Sequence, residues 1–165
     1  MLRRSTSYPL RTDPLIPLGV HSSLRVPADL TVVGFVRCAI ACVLDREEWP
    51  AESAGRVLLA SSEALTNAIE HGSPAGGLVE VGLSVTPERA DIRIVDEGVP
   101  GAEPPVCPRC APPITAERGR GLIIMSRLAD DFTLTPAGDG TEVRVGFWRS
   151  SVLAEAEPAG IFQAA

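Results

Sequence analysis

The chain contains no lysine, and all fifteen of its basic residues are arginine. A P-loop is therefore excluded, because that motif needs a lysine on the phosphates of its nucleotide. Twenty-one acidic residues give a formal net charge of -6 at pH 7. This charge argues against a non-specific nucleic-acid binder, since contacts to nucleic-acid phosphates need a basic surface. Any nucleotide must be bound by a different arrangement of groups.

Long apolar runs are also missing. No stretch approaches the roughly 20 apolar residues that cross a bilayer, and the start of the chain lacks the continuous hydrophobic segment of a signal peptide. We therefore expect a cytoplasmic protein without a membrane segment. In that compartment the four cysteines are expected to be thiols or metal ligands rather than disulfides: Cys38, Cys42, Cys107 and Cys110.

The length of 165 residues and the 45% hydrophobic content suit a single globular domain. Residues 1–21 carry three prolines and no periodicity, which predicts a flexible N-terminal tail. The domain is predicted over residues 22–148, and residues 149–165 form a predicted C-terminal tail. Inside the domain, residues 97–118 contain six prolines without periodicity. A loop of that length is expected to act as a lid or a binding element.

Hydrophobic periodicity predicts the elements of the domain. S-S-L-R-V is a short strand, Pro27 opens a helix that is apolar over most of its circumference and is expected to be largely buried, and a second helix runs from Pro50 to Gly72. L-V-E-V-G-L-S-V-T and A-D-I-R-I-V-D alternate as the arms of a hairpin. A helix, G-L-I-I-M-S-R-L-A-D, and the strands D-F-T-L-T and T-E-V-R-V-G-F-W follow the lid. This order favours an α+β fold, a two-layer sandwich of a mainly antiparallel sheet with helices on one face.

The second helix carries an acid and an amide one turn apart, Glu63 and Asn67, in S-S-E-A-L-T-N-A-I-E-H-G. Two side chains at this spacing project from one face and can hold a ligand between them. On a helical wheel they share the polar side with Arg56 and Glu70, opposite a stripe of leucine and isoleucine. Taken alone, the pattern is typical of a solvated polar face.

Three later motifs bear on whether this face of the helix holds a ligand or is solvated, and each motif has a purely structural alternative. D-E-G-V-P-G, residues 96–101, is either a turn or a carboxylate that accepts from an exocyclic amine, with a glycine that lets the backbone approach a flat ring. R-G-R-G-L, residues 118–122, is either a helix cap or a set of N–H donors for phosphate. D-G-T, residues 139–141, is either a hairpin turn or the site of a hydroxyl that meets the ligand.

The order and spacing of the four motifs over residues 22–148 resemble the ATP-binding domain shared by gyrase-type ATPases, heat-shock chaperones and sensor histidine kinases. Within that superfamily, the initial P-A-D-L and the run E-A-L-T-N-A-I-E-H-G look most like bacterial anti-sigma-factor serine kinases. One departure is D-E-G-V-P-G, where the family often has D-x-G-x-G. The resemblance implies the Bergerat ATP-binding fold.

The resemblance also implies roles for individual residues. Glu63 would be the general base, Asn67 would coordinate Mg²⁺ on the triphosphate, and Asp96 would bind adenine. Gly98 and Thr141 would line the base. The donors to the phosphates would be Gly119, Arg120, Gly121 and Leu122.

The leading hypothesis from the resemblance is an ATP- and Mg²⁺-dependent protein kinase. It would phosphorylate a serine or threonine of a small anti-anti-sigma-like partner, sequester a sigma factor and form a homodimer. One alternative is a non-catalytic ATP-binding regulator. Another is a thiol- or metal-modulated sensor, because the lid contains C-P-R-C with Cys107 and Cys110. That pair would act in redox chemistry or join Cys38 and Cys42 in a zinc site, although separate, passive thiols are the simpler interpretation.

Overall fold

The computed structural model describes residues 19–101 and 120–149, with Arg120 described for its backbone only. Five strands and three helices make up these residues. In chain order they are β1 (Val20–Pro27), α1 (Thr31–Arg46), α2 (Ala51–Glu70), β2 (Leu78–Val85), β3 (Arg89–Val95), α3 (Arg120–Leu128), β4 (Asp131–Ala137) and β5 (Gly140–Trp148).

The strands form one sheet in the order β1-β2-β3-β5-β4, and every neighbouring pair is antiparallel. Alternate residues of the central strands are buried, as the period of two predicts. Those buried side chains pack against the helices in a single hydrophobic core. The predicted α+β sandwich with a mainly antiparallel sheet is confirmed.

Helix α2 is the central helix of the core. Val57, Ala60, Ala64 and Leu65 are each no more than 1% exposed, so one long stripe of the helix is buried in the core. The helix ends at Glu70, and the amides of His71 and Gly72 both donate to the carbonyl of Asn67. This end of α2 lies beside the ends of β3 and β5, where the cavity described below is found.

Helix α1 is less buried than its apolar sequence predicts. Val36, Ile40 and Leu44 form one buried stripe, whereas Phe35 is 69% exposed and both cysteines, Cys38 and Cys42, are exposed. The expectation of a largely buried helix is therefore wrong. The physical reason is that α1 lies at one side of the helix layer. Only its face toward α2, β1 and β2 is covered.

Several element boundaries also differ from the prediction. Val20 and His21, assigned above to the N-terminal tail, belong to β1 and pair with Val85 and Ser84. Pro27 ends β1 instead of opening α1, and the amide of Thr31 at the start of α1 donates to the Asp29 carboxylate at 2.8 Å. The carboxylate supplies the acceptor that a first-turn amide needs.

Part of the predicted organisation lies outside the described residues. This applies to residues 1–18 and 150–165 of the two predicted tails, to residues 102–118 of the predicted lid, and hence to Cys107 and Cys110. Within the described part of the chain, no helix is long and apolar enough to cross a bilayer.

Candidate functional site

A cavity of about 350 Å³ opens between the end of α2, the start of α3 and the ends of β3, β4 and β5. This volume lies in the range of small-molecule pockets. Both polar groups and apolar side chains line it. The lining residues are Ala64, Asn67, Ala68, His71, Gly72, Ile94, Asp96, Gly98, Val99, Gly121, Leu122, Leu134, Pro136, Gly138, Asp139, Gly140, Thr141 and Val143.

Asp96 is the buried acid of the cavity, with 8% of its surface exposed. Its Oδ1 accepts from the amide of Thr141 at 2.9 Å and from the amide of Gly98 at 3.1 Å. Burial raises the pKa of this carboxyl above its usual value, and the two amide hydrogen bonds partly oppose that rise. With Oδ1 held by the backbone, the other oxygen remains to accept from a ligand.

Three glycines enclose the Asp96 side chain. A Cβ at Gly72 would lie 2.2 Å from Asp96 Oδ2, and a Cβ at Gly140 would lie 2.6 Å from Oδ1. Gly98 has a φ of +77°, and a Cβ there would lie 1.9 Å from the carbonyl oxygen of Asp139. Side chains at these positions would displace either the carboxylate or the β5 turn, so the backbone itself forms this wall of the cavity.

Apolar side chains line another part of the cavity. Ile94 is 1% exposed and Val143 is 7% exposed, and Ala68, Leu122 and Leu134 complete the apolar lining. A planar ring with an exocyclic amine matches this combination, because its faces contact apolar side chains while its edge donates to a carboxylate.

Glu63 and Asn67 lie together where α3 begins. A Cβ at Gly121 would come within 2.8 Å of Asn67 Nδ2 and 3.1 Å of Glu63 Oε2. Glycine at the first turn of α3 thus allows the helix N-terminus to approach both side chains. Asn67 and Gly121 line the cavity, while Glu63 lies next to this lining, against Gly121. Amide hydrogens at a helix N-terminus beside a carboxamide suit an anionic ligand.

The polar face of α2 is different from the one drawn on the helical wheel. Arg56 is 7% exposed and contacts α3 and β5. Placing it on a solvated face is therefore wrong, because α3 covers this part of α2. Periodicity identifies a polar stripe on a helix, but it does not show that another helix lies over the stripe.

The structure brings six of the predicted site residues to one cavity: Asn67, Asp96, Gly98, Gly121, Leu122 and Thr141. Glu63 lies at its edge. Gly119 lies outside the described residues, and the side chain of Arg120 is not described. Sequence reasoning missed the apolar wall and the packing of Gly72 and Gly140 on Asp96. Strand alternation could have identified Ile94 and Val143 as inward-facing, whereas no local signal marks Gly72 as a neighbour of Asp96.

The segment D-E-G-V-P-G also has a structural role. Glu97 accepts a hydrogen bond from the amide of Leu78 at 3.1 Å and forms an ion pair with Arg25 at 3.6 Å. Both contacts tie the segment after β3 to β1 and β2. Gly101, at the end of this segment, has a φ of +80°, a conformation that favours glycine.

Comparison with protein families agrees with this geometry. Residues 26–147, which include every described residue of the cavity, match the histidine kinase-like ATPase domain. The chain belongs to this family. The sequence resemblance to the gyrase, chaperone and histidine kinase superfamily is thereby confirmed, and the histidine kinase-like ATPase domain accounts for most of the described chain.

Two relatives of known name are similar to this domain. "Blue-light-activated histidine kinase 2" of Erythrobacter litoralis is 29% identical over 139 residues, which are 81% of this chain and 39% of that protein. "Serine-protein kinase RsbW" of Oceanobacillus iheyensis is 28% identical over 120 residues, which are 67% of this chain and 76% of that protein. This chain therefore spans well under half of the histidine kinase but three quarters of the serine-protein kinase.

A solved structure supports the fold. The crystal structure of the RsbU and RsbW domains of Rv1364c from Mycobacterium tuberculosis superposes with a TM-score of 0.57 at 14% sequence identity. The match covers 78% of this chain and 31% of that protein. The histidine kinase-like ATPase domain described here thus has the architecture expected from its sequence.

Proposed function

We propose that this domain binds ATP with Mg²⁺ and transfers the γ-phosphoryl group to a serine or threonine of a small partner protein. The arrangement around Asp96 is the observation that carries the proposal. One oxygen of this buried carboxylate is held by the amides of Gly98 and Thr141, and the other lies beside the cavity. Adenine, with its amine and flat faces, fits such a site.

The phosphates would lie at the other end of the cavity, between Asn67 and the start of α3. The amide oxygen of Asn67 is a hard ligand of the kind that Mg²⁺ prefers, and this metal usually takes few ligands from protein. Mg²⁺, when bound, would offset the negative charge on the phosphates.

Glu63 is suited to the proton transfer in this proposal. The hydroxyl oxygen of the partner would attack the γ-phosphorus as the bond to the ADP oxygen breaks, and Glu63 would accept the hydroxyl proton. Its carboxylate lies against Gly121, at the start of α3. A base in that place lies beside the end of the cavity assigned to the phosphates.

The partner class in this proposal comes from the sequence resemblance to anti-sigma-factor serine kinases, and the similarity to a serine-protein kinase supports a protein substrate. We propose an anti-anti-sigma-like protein as the phosphoryl acceptor and a sigma factor as a second partner that the domain sequesters in the cytoplasm as a homodimer. The net charge of -6 is compatible with protein partners and unsuited to direct binding of nucleic acid.

The deciding experiment compares wild type with Glu63→Gln in two assays. Calorimetric titration with Mg·ATP should give similar affinities for both proteins, because the base does not hold the nucleotide. Transfer of labelled phosphate to candidate partners should fall by about 10² to 10⁴ in rate for the variant, the usual contribution of a general base. Equal transfer rates for the two proteins would remove Glu63 from the mechanism.

A second function is favoured by one observation. The Glu63 carboxylate lies against Gly121 and is absent from the cavity lining that the described residues provide. A regulator that binds ATP without transferring phosphate needs no accessible base. Such a protein would bind Mg·ATP and show partner binding that depends on nucleotide, yet leave every partner unphosphorylated.

A further inference from the structure

Helices α2 and α3 lie side by side and antiparallel. The first turn of α3 meets Glu63 and Asn67 through Gly121, and its last carbonyl, that of Leu128, meets Arg56. Seven positions separate Gly121 from Leu128, and seven also separate Arg56 from Glu63. At the helical rise, both spans are about 10 Å. The two ends of α3 are therefore matched to two points on one stripe of α2.

The contact at the far end of α3 is made by a buried guanidinium. Arg56 donates from Nε to the Leu128 carbonyl at 2.9 Å and from a terminal nitrogen to Asp130 Oδ1 at 3.1 Å. Its guanidinium carbon lies 5.6 Å from the centre of the Phe147 ring. A cation at a helix C-terminus satisfies carbonyls that have no partner inside the helix and interacts favourably with the helix dipole.

Asp130 extends this contact to the sheet. Its Oδ2 accepts from the amide of Trp148 at 2.7 Å, and its own amide donates to the carbonyl of Gly146 at 2.9 Å. Met125, one turn before the end of α3, is fully buried. The C-terminal end of α3 is thus attached to α2 through Arg56 and to β5 through Asp130.

Small residues let the helices approach between these points. Ala60 and Ala64 lie on α2 between Arg56 and Asn67 and are 0% and 1% exposed. α3 has nine residues. A helix this short is rigid, so a displacement of its last turn at Leu128 would also displace its first turn at Gly121. The position of its first turn over Glu63 and Asn67 depends on where its last turn is held.

We propose that Arg56 is a positioning residue for phosphate binding. It holds the C-terminus of α3 so that the N-terminus lies at the correct distance from Glu63 and Asn67, while it touches neither nucleotide nor metal itself. This inference rests on the proposed function, because the ligand whose binding it adjusts is the triphosphate of ATP. The groups around Asp96 that would bind the amine of adenine come from the ends of α2, β3 and β5, and Leu122 of α3 adds an apolar contact to the base. A shift of α3 should therefore affect the phosphates more than adenine.

The test compares two ligands in Arg56→Met, which keeps an unbranched chain but removes all donors. Calorimetry should show that Mg·ATP affinity falls about tenfold or more, because a displaced N-terminus of α3 would lose about one charge-assisted hydrogen bond to the phosphates. The affinity for adenosine, which lacks phosphates and contacts α3 only through the apolar lining at Leu122, should fall by a clearly smaller factor than that for Mg·ATP. Arg56→Lys, which restores one donor, should recover part of the loss.

Arg37→Met is the matched control. Arg37 also joins α2 through its guanidinium, donating to the Leu58 carbonyl at 2.9 Å and to Ser62 Oγ at 3.1 Å, but it comes from α1 and is exposed. This variant should leave the ratio of ATP to adenosine affinity unchanged. An equal loss for ATP and adenosine in Arg56→Met would show general loosening and overturn the positioning role, and so would an unchanged ATP affinity.

Hydrogen exchange separates failure of this inference from failure of the proposed function. In nucleotide-free protein, Arg56→Met should raise exchange at the amides of Ile124 and Met125 while those of β3 stay protected. Unchanged exchange in α3 would contradict the anchoring role. A wild-type protein that binds neither ATP nor adenosine would refute the proposed function, and the exchange result would still decide whether Arg56 holds α3.

Discussion

Gly72 packs directly on the carboxylate of Asp96, so that a Cβ at position 72 would lie 2.2 Å from Oδ2. The two residues come from different elements, one just past the end of α2 and the other just past the end of β3. Because the amides of Gly98 and Thr141 hold Oδ1, the carboxylate has little freedom to turn away. Glycine at position 72 therefore keeps the second oxygen in place for a ligand.

Gly72→Ala is expected to weaken ATP binding by about tenfold or more, because a displaced carboxylate loses roughly 1.5–3 kcal/mol of charged hydrogen bonding to the base. Calorimetric titration measures this. Gly55→Ala is the control, since a Cβ there meets nothing within 4 Å. Wild-type affinity in Gly72→Ala would show that Asp96 Oδ2 is not the recognition atom.

Asp96→Asn is expected to stabilise the free protein at neutral pH while weakening ATP binding. Burial raises the pKa of Asp96, so the folded state holds this proton more tightly than the unfolded state, and wild-type stability falls as pH rises from about 4 through the raised pKa. Asparagine keeps an oxygen acceptor for both amides without the buried charge. Urea denaturation at pH 4 and pH 7 should show a difference that grows with pH, and a less stable variant at pH 7 would contradict the argument.

Asn67→Ala is expected to remove most of the Mg²⁺ dependence of ATP binding. Asn67 is the single asparagine in the chain, and no lysine is present to take over the phosphate charge. Titrations with ATP in the presence of Mg²⁺ or EDTA should differ for wild type and converge for the variant. Thr66→Ala, one residue earlier on α2, should behave as wild type, and a Mg²⁺ effect that survives in Asn67→Ala would assign the metal elsewhere.

Gly121→Ala is expected to lower the rate of phosphotransfer more than the stability of the fold. The new Cβ would meet Asn67 Nδ2 at 2.8 Å and Glu63 Oε2 at 3.1 Å, so either the start of α3 or both side chains must move. A displacement near 1 Å can cost about 10²-fold in rate. Single-turnover phosphotransfer measures the loss, and Gly34→Ala in open space on α1 is the control. Full activity in Gly121→Ala would show that this approach is unimportant.

The sheet was predictable from the sequence because the alternation of apolar and polar residues identifies a strand and its buried face without reference to other elements. In β2 and β3, every second residue is apolar, and those residues are buried. The acid and amide on α2 were predictable as a pair because helical spacing fixes their common face.

Contacts between distant elements were not predictable in the same way. Arg56 looks solvated on a helical wheel, but α3, more than 60 residues later, covers it. α1 looks buried on all sides, but the fold supplies neighbours on one side only. Gly72 and Asp96 touch because two element ends converge, and no local pattern encodes that convergence. A short range of sequence determines local structure and leaves tertiary neighbours undetermined.

The strand order has a consequence for how the protein forms during synthesis. β5, the last strand that the structure describes, inserts between β3 and β4, and it supplies the Thr141 amide that holds Asp96, 45 residues earlier. A ribosome-bound chain that ends before residue 140 therefore contains the residues of β1 to β4 but no partner for the inner edge of β3. Such long-range pairing forms slowly, and the acid end of the cavity is assembled only when the final strand docks.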